Sequence, residues 1–205
     1  MAAAVAAALI GAMIFGAAAT CGIFAANVLI PKIQRFDDGP PAVDFPPAVL
    51  IGGAAVIGAV MGVRTPPMDL LVITAIVVVC LVAIWYCDAK TGIIPDVFTL
   101  VPLGLVVIYG LVQRQPMVLA SALILFLPFG ILAFISKGRG MGWGDAKLAA
   151  LGGALLGVST ATVAFVVASL VAALAAWLKY RSRNAPIAMG PYLVAAIAAS
   201  LPFNF

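Results

Sequence analysis

Apolar runs long enough to cross a bilayer follow one another along almost the whole chain, and this limits what it can fold into. A spanning helix needs roughly 17–25 apolar residues. By that measure about eight segments qualify, at approximately 3–30, 48–63, 69–87, 96–112, 117–136, 145–157, 160–180 and 190–203, the second and sixth being short. Composition agrees: 65% of residues are hydrophobic and 9% charged, against the roughly 25% charge of an ordinary soluble domain. In lipid the backbone must satisfy its own hydrogen bonds, and helices do so within one segment. The expected fold is therefore an all-α, polytopic membrane helix bundle.

The breaks are short and rich in Pro, Gly and charge. The longest, 31–47, holds Asp37, Asp38, Asp44 and five prolines, and reads as an irregular solvated loop. Others fall at 64–68, 88–95, 137–144 and 181–190. Residues 1–30 lack the basic start of a cleaved signal peptide and read as a retained membrane helix. With eight spans, one side collects Lys32, Arg35, Lys90, Lys137, Arg139, Lys147, Lys179, Arg181 and Arg183; the other has Arg64 and Arg114. Positive charge gathers on the cytoplasmic side. The loops at 31–47, 88–95, 137–144 and 181–190 are thus expected to face the cytoplasm, with both termini outside. The net charge of +4 reads as topology, and no nucleic-acid partner is expected.

Missing residue types narrow the chemistry. The chain has no His and no Glu. A His-Glu-x-x-His zinc protease and any Ser-His or Cys-His hydrolase lack their required groups. The three cysteines, Cys21, Cys80 and Cys87, lie inside apolar runs without a Cys-x-x-Cys pair and read as small hydrophobes; no metal site is expected. The carboxylates are Asp37, Asp38, Asp44, Asp69, Asp88, Asp96 and Asp145.

Two of them stand apart. Asp88 ends one apolar run and Asp145 begins another, which places both at one membrane level on the same side. Such residues are costly beside long apolar stretches unless paired or functional. Two facing carboxylates in a partly dry site do not both ionise easily. The ionised one can activate water while the protonated one polarises a carbonyl; as a coupled pair, neither residue is assigned either role. Ahead of Asp145, Gly140, Gly142 and Gly144 alternate, which suggests irregular backbone open to an extended substrate. The blander readings are a helix end for Asp88 and an N-cap for Asp145. Asp96, after Pro95, reads as an N-cap and Asp69 as a helix cap. Lys147 reads as an interfacial cation, with tuning of the pair or orientation of its loop as the sharper reading. Trp85, Tyr86 and Trp143 fall near the predicted interface, and Pro191 starts the last helix.

The segments CDAKTGIIPDVFTLVPLG and GMGWGDAKLAALGGALLG resemble the two signature regions of the prepilin peptidases, polytopic Gly-x-Gly-Asp aspartyl proteases. The matching positions are Asp88, Pro95 and Asp96 in the first, and Gly142, Trp143, Gly144, Asp145, Lys147 and Leu148 in the second. A weaker third stretch surrounds Gly190 and Pro191. The resemblance spans roughly 75–200. It implies an aspartic endopeptidase in the bacterial cytoplasmic (inner) membrane with Asp88 and Asp145 catalytic. Gly140, Gly142, Gly144, Lys147, Pro95 and Asp96 would shape the loops that meet substrate. The implied partners are the bilayer and the prepilins or pseudopilins of type IV pili or type II secretion, cut just before a hydrophobic helix. A six-helix catalytic core over 69–205 would follow an N-terminal two-helix region, 1–68. The peptidase activity needs no cofactor. The family's larger members bind zinc through Cys-x-x-Cys pairs in the loop after the first helix, and this chain has no cysteine there. S-adenosylmethionine is called for only if N-methyltransferase activity is present. Two other readings remain open. Presenilin-type proteases pair Gly-x-Gly-Asp with Tyr-Asp and Pro-Ala-Leu motifs, whereas here Cys87 precedes Asp88 and no Pro-Ala-Leu occurs. A small proton- or cation-coupled transporter would place its Asp deeper in the bilayer.

Overall fold

The computed structural model describes residues 2–33, 46–64, 66–137, 141–180 and 188–203. Among them the chain is all-α, as expected. Its helices are α1 (Ala2–Leu29), α2 (Pro47–Val63), α3 (Met68–Thr91), α4 (Asp96–Val112), α5 (Met117–Ile135), α6 (Trp143–Tyr180) and α7 (Gly190–Ser200). Short 3₁₀ turns follow α1 at Ile30–Lys32 and α7 at Leu201–Phe203. Four segments, Ala2–Lys32, Met68–Thr91, Met117–Ile135 and Trp143–Leu178, are long and apolar enough to cross a membrane. Pro47–Val63, Asp96–Val112 and Gly190–Phe203 are apolar but shorter.

Proline sets many of the starts. Pro46, Pro67, Pro95 and Pro116 occupy the position before α2, α3, α4 and α5, and Pro191 sits in the first turn of α7. A missing N–H costs nothing there, because the first turn has no intrahelical acceptor for it. The break expected at 88–95 is shorter than the sequence suggests. α3 continues to Thr91, whose Oγ1 donates to the Cys87 carbonyl at 2.8 Å. It closes at Gly92 (φ 70°), whose N–H bonds to the Asp88 carbonyl at 2.9 Å, a left-handed exit that glycine adopts without a Cβ penalty. Asp88 therefore lies in the last turn of α3 rather than beyond it.

The expected sixth and seventh spans join in α6, which breaks at Gly157 (φ 72°, ψ 169°). The two legs, 143–156 and 158–180, fold back on each other. A Cβ on Gly152 would collide with the Phe165 ring, whereas in a straight helix these residues would lie about 20 Å apart. The eight segments read from the sequence thus correspond to seven helices, one of them bent double.

The surface and interior invert the soluble pattern. Met13, Phe24, Phe134 and Leu170 are exposed, while alanine and glycine line many contacts. Without a hydrophobic drive between helices in lipid, close backbone approach takes its place. α1 packs on α2 and α3, and α6 on α4, α5 and α7. The first leg of α6 is its most enclosed part, with Ala146, Leu148, Ala149 and Leu151 fully buried. At the α1–α2 contact, a Cβ on Gly58 would meet the Gly11 carbonyl, and at 2.6 Å the Phe15 Cβ.

The Gly58→Leu variant should therefore lower the melting temperature of the purified protein, since overpacking of this kind costs about 1–3 kcal/mol. Gly52→Leu is the control, because a Cβ there meets nothing within 4 Å, and it should melt with the parent chain.

Candidate functional site

One end of the bundle gathers the last turn of α3, the linker 92–95, and the first turns of α4, α6 and α7. Asp88 and Asp145 both lie at this end. Asp88 is 5% exposed. Its Oδ2 has no hydrogen-bond partner among the described residues. The backbone amide of Gly190, at the start of α7, acts on the Asp88 carboxylate, and so does the charge of Asp145. The two carboxylates, 57 positions apart in the sequence, are thus brought by separate helices to the same end of the bundle. A buried acceptor left unpaired carries a desolvation cost, which the packing around it must sustain.

That packing depends on two glycines and one isoleucine. A Cβ on Gly190 would stand 2.6 Å from Asp88 Oδ2 and 3.1 Å from Ile94 Cδ1. A Cβ on Gly144 would stand 2.7 Å from Ile94 Cβ. Ile94 is therefore wedged between the starts of α6 and α7, next to Asp88, and bare backbone at both glycines lets it fit. The linker that carries Ile94 is shaped by Thr91, whose Oγ1 accepts from the Ile93 N–H at 3.3 Å.

Asp145 is half-buried and is not the N-cap of its helix. It is the third residue of α6, and its Oδ2 accepts from the Gly142 N–H at 3.2 Å. This is the reaching-back half of a capping box, and it fixes the carboxylate over the start of the helix. The irregular backbone expected through the glycines is only partly found. Gly144 is already helical, Gly142 directs its amide to Asp145, and Gly140 lies outside the described residues.

Asp96 also departs from its expected role. Pro95 occupies the cap position and Asp96 is the first residue of α4. Its Oδ1 pairs instead with Lys147 Nζ at 2.6 Å. Lys147 lies one turn into α6 and is 25% exposed, with Asp96 as its partner. The pair ties the start of α4 to the start of α6, fastening the linker that holds Ile94. Tyr86 is buried, with Lys90 Nζ 4.5 Å from its ring centroid, and Trp143 is exposed at the start of α6.

At the other end of the bundle, Asp69 is the second residue of α3 and does not cap it. Its Oδ2 accepts from the Tyr109 hydroxyl at 2.8 Å. Asp37, Asp38 and Asp44 lie outside the described residues. Sequence reasoning noted Gly190 as part of a weak motif but missed its contact with Asp88, and missed Ile94 entirely. A glycine placed directly before the proline that starts a helix is the one local sign that backbone must approach closely there.

Residues 75–177 match the type IV leader peptidase family. That segment runs from within α3 to near the end of α6, and contains Asp88, Pro95, Asp96, Gly142, Gly144, Asp145 and Lys147. The chain is 33% identical over 120 residues to a prepilin leader peptidase/N-methyltransferase of Neisseria gonorrhoeae, covering 55% of this chain and 42% of that protein. It is 34% identical over 127 residues to a protein of the same description from Pseudomonas aeruginosa, covering 57% and 44%. The matched region thus spans less than half the length of either relative. No solved structure matches the chain. With half of the chain inside the family match and both carboxylates of the site within it, this all-α membrane protein belongs to the type IV leader peptidase family.

Proposed function

We propose that the chain is an aspartyl endopeptidase that removes the short basic leader of prepilins or pseudopilins, with Asp88 and Asp145 as its catalytic pair. The observation that carries this reading is the convergence of those two carboxylates from separate helices at one end of the bundle. The family membership and the relatives' descriptions support the substrate class. In this mechanism the ionised member of the pair takes a proton from water as the water attacks the scissile carbonyl. The protonated member donates to the carbonyl oxygen; as the C–N bond then breaks, the proton taken from water passes to the leaving amine and the gem-diol returns a hydroxyl proton to the other carboxylate, so the pair ends with the single proton it began with. Residues 69–205 would form the catalytic core, with 1–68 packed beside it.

The site lies at the end of the bundle that carries Lys90 and Lys147; charge bias favours the cytoplasmic face for that end, with both termini outside, and the family resemblance implies a bacterium's inner membrane. A substrate helix held in the bilayer would then present its leader junction at the level of the carboxylates. The first turn of α7 would hold Asp88 in place through the Gly190 amide, and the Asp96–Lys147 pair would hold the linker.

Both relatives are also described as N-methyltransferases. Two cavities among the described residues do not suit S-adenosylmethionine for that reaction. A cavity of about 680 Å³ between α3, α4, α5 and α6 includes Asp69 in its lining. Along α3, Asp69 lies about 28 Å from Asp88, too far to serve an amine newly formed there. A second cavity, between α5 and the second leg of α6, is lined mainly by apolar groups such as Leu125, Phe129 and Phe165. We assign no methyl-transfer step to this chain.

Leader removal from a prepilin-type substrate, followed by mass in detergent or lipid, tests the pair. Asp88→Asn and Asp145→Asn should each fold and lose at least about a hundredfold to ten-thousandfold in rate, the scale of general acid–base catalysis. Near-normal cleavage by either variant would sink the two-carboxylate mechanism.

Gly190→Ala should lower kcat by displacing the Asp88 carboxyl group, with a smaller change in KM. The contact of 2.6 Å leaves no room for the added methyl.

Lys147→Gln should barely change the melting temperature, because Asp96 is 61% exposed and such pairs contribute about 0–1 kcal/mol. Cleavage should nevertheless slow, and equal slowing in Asp96→Asn and in the double variant would identify the pair as the cause.

A further inference from the structure

The reaction proposed above needs one water molecule and one carbonyl group within reach of both carboxylates, and the two carboxylates are not equally open. Asp145 is half-buried. Asp88 is buried, and its Oδ2 is closed to solvent with no hydrogen-bond partner among the described residues. The group that closes this space therefore stands between Asp88 and the chemistry assigned to it.

Two groups border that oxygen where α7 begins. A Cβ on Gly190 would meet both Asp88 Oδ2 and Ile94 Cδ1, so the end methyl of the isoleucine and the carboxyl oxygen flank the same point. Gly190 belongs to a helix that packs on α3 and α6. Ile94 belongs to no helix. It sits in the linker 92–95, partly buried and packed against the core. The linker leaves α3 through Gly92 in a left-handed conformation and enters α4 through Pro95. Within it the Ile93 amide bonds to Thr91 Oγ1 at 3.3 Å, long for such a bond. Its far end is tied to α6 by the Asp96–Lys147 pair, and ion pairs this exposed hold weakly. On the α6 side Ile94 rests against the bare backbone of Gly144, so it can leave without a side chain at that position having to move. Linkers of this kind open locally at low cost, whereas packed helices do not.

We propose that Ile94 is the gate of the site. Its side chain shuts Asp88 off from water and substrate in the substrate-free chain, and the linker 92–95 swings away from the start of α7 to admit them. Ile94 thus acts on the reaction through Asp88 and takes no part in the bond-making itself. The purpose of the gate rests on the two-carboxylate reading, but its opening is measured without any cleavage.

The full chain, purified in detergent, would be treated with a carbodiimide and glycine ethyl ester, which together convert an accessible carboxyl group to an amide. Labelling would be followed by peptide mass at Asp88 and, as a reference, at Asp69, which is exposed at the opposite end. Ile94→Ala should label Asp88 about tenfold or more faster than the parent chain, because truncating an isoleucine packed on both sides destabilises the closed arrangement. Asp69 should label at the parent rate. Ile94→Val removes only the end methyl beside Gly190 and should fall between the two. Leu103→Ala, a cut of similar size in a partly buried residue of α4, should leave Asp88 labelling as in the parent. Equal labelling of Asp88 in the parent and in Ile94→Ala overturns the proposal. So does a rise in Leu103→Ala as large as that in Ile94→Ala, because general loosening would then expose Asp88. If Ile94→Ala fails to fold, Ile94→Val decides by the same comparison. Cleavage plays no part in this readout, so failure of the gate and failure of the peptidase reading are told apart.

Discussion

Asp88 carries a carboxyl oxygen that is buried and has no hydrogen-bond partner among the described residues, and much of the architecture at that end of the bundle serves to keep it so. An unpaired buried acceptor is expensive. It persists where surrounding packing leaves the side chain no easier place. Here the constraint comes from Ile94 and from the start of α7, which approaches so closely that a single methyl on Gly190 would strike the carboxyl group. The reach of Asp145 back to the Gly142 amide fixes the opposing carboxylate by a different device. One member is crowded by the start of α7, and the other is bonded to the amide just ahead of its own helix.

Helix ends are what make this arrangement available in a membrane protein. Within a regular helix the backbone N–H groups are committed, but the first turn of each helix leaves several free to meet other acceptors. Asp145 uses one such amide and Asp88 faces another, each contributed by a helix start. Proline at or beside the starts of α2, α3, α4, α5 and α7 marks where those helices begin. The Asp96–Lys147 pair then links two of the starts across 51 positions of sequence.

Local patterns in the sequence revealed the helices, the breaks and the two carboxylates, because each depends on residues close together in the chain. The apolar runs located every helix to within a few residues, and the two Asp motifs pointed to one membrane level. The misreadings came where a long-range contact overrode a local preference. Asp96 and Asp69 both sit where a cap would be expected. Lys147 and Tyr109 respectively claim their carboxylates instead. Thr91 and Gly92 prolong α3 by a turn beyond the point where the chain becomes polar. The part of Gly190 was hidden because its importance lies in the atom it lacks, and that becomes apparent only beside Asp88.

The bend at Gly157 has a consequence that reaches α7. Were α6 straight, its 38 residues would carry the chain from one end of the bundle to the other once, and α7 would start opposite Asp88. Folding back adds a second passage. The chain leaves the α6 hairpin at the end where it entered, and Gly190 can begin α7 beside the carboxylate. The parity of crossings, and with it the side from which every later residue approaches, is thus set by the backbone angles of one glycine.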